Sequence, residues 1–213
     1  MRGGAFRLVV MLALVALLLI FFPPFHIRRL DGHSLDRSND HSASADITQI
    51  AARFWNTSLT SQRVRPTDWQ VLIKALQQDP MLASQRYGHR PGIGGPSFYL
   101  LSGEARVVSI DSRGLWLGAP ESVDWHILLQ TGPIFGSALR DATGLLKLED
   151  FSSFDFNELG AQLNRLSEDR IGTAVRRDTR AGSEVEFVAA GRLDTVSGDD
   201  RTLLLAPIRV RLK

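Results

Sequence analysis

The sequence predicts an α+β protein in which five strands close into a small barrel or curl as an antiparallel sheet. A helical cap precedes the strands and one helix is inserted among them. Three observations carry this reading: a long apolar run at the N-terminus, helical spacing from about residue 46 to 88, and a switch to a period of two after Arg90.

The N-terminal run comes first. Arg2 and Arg7 precede Leu8 to Phe22, fifteen residues without a polar side chain, and Pro23, Pro24 and Phe25 lead to Arg28 and Arg29. A charged start followed by such a run has the form of a secretory signal. As a helix it rises roughly 22 Å against a hydrocarbon core of about 30 Å, a gap that flanking residues and snorkelling arginines close. No small-x-small cleavage site follows, and bulky Phe21, Phe22 and Phe25 stand in its place. An uncleaved signal anchor over residues 1–29, contacting the membrane through 5–25, is therefore expected; a cleaved peptide and a buried core helix are the alternatives. The chain is then single-pass in the bacterial inner membrane with its C-terminal domain in the periplasm, although Arg28 and Arg29 partly balance Arg2 and Arg7 under the positive-inside rule.

Residues 30–45 are rich in Ser, Asp, His and Asn and read as a flexible linker. Residues 46–213 make a single periplasmic domain, with a helical cap at 46–88 and the barrel at 97–213. In the cap, Asp46 starts a pattern that places Ile47, Ile50, Ala51 and Phe54 on one face. Thr67 with Gln70 gives a capping box ahead of the Trp69, Leu72, Ile73, Leu76 stripe, and Asp79-Pro80 opens a helix ending at Gly88. Strands follow over Ser97 to Asp111, bent near Gly103, then Leu115 to Leu117, then Val123 to Gln130. Asp155 with Glu158 caps a helix carrying Phe156, Leu159, Leu163 and Leu166. Val185 to Leu193 and Ile208 to Leu212 alternate as two last strands, with Pro207 marking an edge or bulge. Three strands, a helix and two strands is the order of an oligonucleotide/oligosaccharide-binding (OB) barrel.

Composition narrows the chemistry. With 25 basic and 23 acidic residues well mixed along the chain, there is no dense basic stripe for a phosphate backbone, so no nucleic acid is expected. There is no cysteine, which excludes disulfides, thiolate metal sites and a cysteine nucleophile. Pro91 to Pro96 lacks the Gly-Lys-Ser/Thr end of a phosphate loop, and Gly136-Ser137 lacks a nucleophile elbow. His33 and His41 with Asp31, Asp36 and Asp40 fit no tight metal spacing. No cofactor and no metal are expected. Binding candidates remain: Trp116 and Tyr99 as stacking rings, His126 on the face of its strand opposite the apolar one, and Arg140 with Asp141 in the small-residue stretch Gly132 to Asp141. The plainer reading of that stretch is a turn with an ion pair or cap.

Several pieces resemble the domain-of-unknown-function family 2291, described as predicted periplasmic lipoproteins. They run from Phe54-Trp55 to the C-terminus and include Arg86-Tyr87-Gly88, Gly103 with Val107-Val108 and Asp111, Gly132-Pro133, Gly136 to Asp141, Glu149-Asp150-Phe151 and Asn157 through Asn164. The resemblance implies an exported domain, with members often encoded beside sugar ABC transporters, and no reaction. The chain departs from the family in lacking the lipid-bearing cysteine, which a membrane anchor must replace. It also departs at Ser152 to Asp155, where a more amide-rich segment is expected.

The expectation is a non-enzymatic, membrane-anchored envelope protein accessory to solute (sugar) uptake, with ABC transporter components or a sugar-like ligand as partners. Its rivals are an envelope hydrolase using Asp141 or His126 and a structural subunit of a membrane complex. The intact mass of detergent-extracted protein is expected to include residues 1–25, with or without the first methionine; a chain starting at Arg28 or later would show the segment to be removed.

Overall fold

Three helices begin where a side chain satisfies free N–H groups of the first turn: those capped by Asp68, Asp79 and Ser152. The computed structural model describes residues 37–61, 63–92, 95–118, 125–193 and 202–213; the expected anchor lies outside them. No helix among the described residues is long and apolar enough to cross a membrane. The chain divides into a unit Met1–His41 and a unit Ser42–Lys213, and the barrel belongs to the second.

Helix α1 spans Arg37–Phe54 and runs on into one π-turn, Trp55–Leu59. It starts upstream of Asp46, which is exposed within it. No Gly or Pro stands between Arg37 and Asp46 to stop helical backbone there. Ile47, Ala51, Phe54 and Trp55 form its buried face.

Helix α2 (Trp69–Gln78) buries Trp69, Leu72, Ile73 and Leu76, as the spacing predicts. Its cap differs from the predicted Thr67–Gln70 box: Asp68 Oδ1 accepts from the backbone N–H of Gln70 and Val71. Thr67 and Asp68 are drawn into a short parallel pairing with Leu101 and Ser102, so the helix starts one residue later. Helix α3 (Pro80–Tyr87) is capped by Asp79, whose carboxylate accepts from Leu82 N–H, and ends at Gly88.

The five barrel strands are β1 (Ser97–Ile110), β2 (Gly114–Leu117), β3 (His126–Gln130), β4 (Glu184–Leu193) and β5 (Thr202–Leu212). They pair in the ring β1-β2-β3-β5-β4-β1. All pairings are antiparallel except β3 with β5, which runs parallel from His126↔Thr202 to Leu129↔Leu205. This is the closed OB-type barrel, and the α+β expectation holds. The closed arrangement replaces the alternative of an open curled sheet. Strand β5 begins earlier than predicted, and a register shift near Pro207 is the bulge its proline marks.

Tyr99, Leu101, Leu115, Leu117, Ile127, Leu129, Phe187 and Leu205 alternate inward and are buried. Helix α4 (Ala138–Asp141) is a single turn, and α5 (Ser153–Ser167) brings Leu159 and Leu163 against the core. Its cap sits one turn before the predicted Asp155–Glu158 pair: Ser152 Oγ accepts from Asp155 N–H and donates to its carboxylate. A π-turn, Glu168–Gly172, leads to α6 (Thr173–Asp178).

The cap docks on the barrel where Trp69 lies over Gly103. The indole donates from Nε1 to the Glu104 carbonyl at 3.2 Å, and a Cβ on residue 103 would run into the ring. The bend predicted at Gly103 is therefore a docking notch. Gly103→Ala is expected to lower stability by roughly 1–3 kcal/mol, the usual range for overpacking, and to shift tryptophan emission. A denaturation midpoint equal to the parent's would show that the indole moves aside freely.

Candidate functional site

The five residues singled out from the sequence fall in three places. Arg140 and Asp141 come from α4, whose turn directs both side chains into the protein. Their exposures are 9% and 2%. Arg140 Nε donates to Asp141 Oδ1 at 2.7 Å and Nη2 to Oδ2 at 2.9 Å. Arg140 Nη1 donates to the Phe156 carbonyl at 2.9 Å, and the guanidinium lies 3.8 Å from the centroid of the Phe156 ring. Each nitrogen of the guanidinium and each oxygen of the carboxylate has a partner, which is the condition for a buried ion pair to be tolerated. The pair is a turn with an internal bridge, the plainer of the two sequence readings, and it locks α4 to α5.

Beside this lock opens a cleft of about 940 Å³. Arg140 and Phe156 form one wall, and Asn157, Lys147, Glu149 and Asp150 line the rim. His89 lies at its edge, and its Nδ1 is buried with no hydrogen-bond partner among the described residues. Sequence reasoning missed this cleft because its residues come from two segments, 89–91 and 140–157, with no shared spacing.

Trp116 and His126 meet on the outer face of β2 and β3, ring centroids 6.3 Å apart and nearly perpendicular. Trp116 Nε1 donates to Asp111 Oδ2 at 3.0 Å, and the Arg113 guanidinium sits 4.9 Å above the indole. Arg113 also binds Asp111, at 3.1 Å, so the hairpin loop between β1 and β2 is closed on itself. The Trp116 N–H, above all, holds the Asp111 carboxyl down at about 2 from its ordinary 3.8, with burial opposing and the Arg113 and Gly114 N–H groups adding.

Tyr99 is elsewhere. It is fully buried inside the barrel, its hydroxyl 3.0 Å from Ser84 Oγ. Ser84 in turn bonds Ser97, and Arg90 Nη2 donates to Ser97 at 3.1 Å.

The stretch before Arg140 is clamped from α5. Asn164 Nδ2 donates to the carbonyls of Ile134 and Gly136, and Glu168 Oε1 accepts from Ile134 N–H at 2.6 Å. Gly136 takes a left-handed φ of 95°, a conformation glycine adopts without a Cβ penalty. Gly132 does not, but a Cβ there would lie 2.5 Å from the Ser112 carbonyl oxygen, so close approach is its requirement. The clamped loop displays Phe135 at 83% exposure.

No cluster of three or more His, Asp or Glu among the described residues could hold a metal. Asp141→Asn is expected to lower stability by about 3 kcal/mol, because it strands a buried guanidinium. Replacing both Arg140 and Asp141 by leucine should cost less than the two single losses added together; additive losses in urea denaturation would sink the pair as a unit. For Asp111 the folded pKa is depressed, so its stabilisation is present above the ordinary 3.8 and is lost as pH falls toward about 2. Trp116→Phe should return that carboxyl toward 3.8 in a carbon NMR titration.

A search of solved structures matches an OB-fold protein of Thermotoga maritima, with a TM-score of 0.69 and 21% identity over 78% of this chain and 98% of that one. That likeness agrees with the barrel. Comparison with curated proteins finds no match. A family model described as predicted periplasmic lipoprotein (DUF2291) matches residues 13–211. With nearly the whole chain matched, the protein belongs to this family of the bacterial cell envelope.

Proposed function

We propose that this chain is a non-enzymatic envelope module that holds a small polyhydroxylated ligand in the cleft beside Arg140 and serves solute uptake. Residues 5–25 hold it at the inner membrane, with the barrel on the periplasmic side. These 213 residues contain no cysteine to carry a lipid, which supports an apolar segment as the anchor.

The observation that carries the ligand reading is the cleft itself. Its wall is rigid, because Arg140 is fixed on three sides. Its rim mixes a cation, two carboxylates and an amide, all exposed. Sugar hydroxyls both donate and accept, so a rim of mixed polarity suits them better than it suits an anion. The His89 ring completes the edge of the cleft.

The non-enzymatic reading rests on dispersal. His126 and Asp141 lie in separate places, and both Asp141 oxygens are occupied by Arg140. Asp111, the carboxyl with the large downward shift, is held ionised, the reverse of what a general acid needs.

Phe135 favours a second role. A ring exposed on a clamped loop loses little freedom on docking, which supports contact with a protein partner such as a transporter component. Phe135→Ser should then weaken co-purification with that partner while leaving sugar binding intact.

The ligand reading is tested by calorimetry on detergent-solubilised full chain with ribose, xylose and glucose. Saturable binding to at least one is expected, weakened about tenfold or more by Asn157→Ala with an unchanged melting temperature. No saturable heat with any of the three, or binding indifferent to both Asn157→Ala and His89→Ala, would end it.

A further inference from the structure

A second concavity, of about 820 Å³, lies between the helical cap and the outer face of the barrel. Leu59, Val64 and Trp69 wall it on the cap side, and Leu100 and Val188 on the strand side. It shares no lining residue with the cleft beside Arg140.

Its ionic groups divide into two kinds. Asp68 caps α2, and Glu104 takes the Lys213 ammonium, so both are satisfied within the protein. Arg65, Arg209 and Glu186 make no side-chain hydrogen bond or close ion pair with any described residue, and Glu186 feels the Lys213 ammonium only from beyond ion-pair distance. Arg65 is exposed, while Arg209 and Glu186 are half-buried. Charges partly removed from water without a partner are unfavourable.

Strand register explains why Arg209 and Glu186 remain apart. Val188 pairs with Arg209 and Glu186 with Arg211 across β4 and β5. Arg209 and Glu186 are therefore diagonal neighbours on one face, with Cα atoms roughly 7–8 Å apart. A guanidinium and a carboxylate stand side by side, unjoined, over an apolar floor.

We propose that this groove binds a zwitterionic ligand of the α-amino-acid class with an apolar side chain. The ligand carboxylate lies between Arg209 and Arg65, its ammonium meets Glu186, and its side chain rests among Leu100, Val188 and Trp69. One molecule neutralises both half-buried charges at once. A simple anion would face Glu186, a simple cation would face two arginines, and a neutral sugar could hydrogen-bond to these groups but would neutralise none of the three charges.

The test uses detergent-solubilised full chain and L-leucine, followed by calorimetry and by tryptophan emission. Leucinamide (no carboxylate) and 4-methylpentanoate (no ammonium) serve as half-ligands. Leucine is expected to bind saturably, and each half-ligand at least about tenfold more weakly. Arg209→Gln should abolish the preference for leucine over leucinamide, Glu186→Gln that over 4-methylpentanoate, and Arg209→Lys should retain much of the binding. Trp69→Phe should remove the emission change while leaving the heat. No saturable heat with leucine at millimolar concentration would overturn the proposal, as would half-ligands that match leucine or charge variants that fold and bind like the parent. Because no residue is shared, failure here leaves the sugar reading standing, and the reverse also holds.

Discussion

The barrel closes through a single parallel junction, β3 against β5, and most of the architecture follows from that constraint. Antiparallel neighbours can be joined by a tight turn, but parallel ones need a long crossover. After Gln130 the chain therefore leaves the sheet, passing through the clamped loop, α4, α5 and α6, and returns to it in β4 before β5. Helix α5 then packs Leu159 and Leu163 into the core that the ring encloses. The Arg140–Asp141 bridge fixes where α5 sits, and the ligand cleft is the space left beside that lock.

The bridge shows why a conspicuous pair of charges can be structural. Taking a guanidinium and a carboxylate out of water is expensive unless all their hydrogen bonds are remade. Here the two groups use each other, a main-chain carbonyl and an aromatic face. What they leave for a ligand is a rigid wall, with Lys147, Glu149 and Asp150 on the rim beside Asn157, whose Oδ1 accepts from Arg140 Nη1 at 3.4 Å. The second groove is the opposite case, in which half-buried charges have not found each other.

Much of the fold was legible because each element is patterned on one face. The Trp69-Leu72-Ile73-Leu76 stripe, the Asp79-Pro80 start and the Val185-Phe187-Ala189 alternation all survive into the structure. The first half of β5 was not legible: Leu203-Leu204-Leu205-Ala206 is apolar without a break, although Leu204 is 41% exposed and its neighbours are buried, so no period of two can be seen. Arg140 and Asp141 were legible as an ion pair but not as a pair pointing one way, since strand alternation does not apply to a helical turn. Tyr99 was recognised as an aromatic on a barrel strand; only the register could tell that it faces inward. The groove residues Arg65, Glu186 and Arg209 lie far apart in sequence, each unremarkable alone, and nothing short of the fold assembles them.

Strand β5 pairs with both β3 and β4, and it is the last strand in chain order. A chain made N-terminus first cannot shut its ring until Leu203 and Leu205 are available to pair with β3. Up to that moment β1, β2 and β3 form an open ribbon with apolar faces in water, and such long-range closure is slow. The interval before β5 pairs is therefore the one in which the polypeptide is most prone to aggregate.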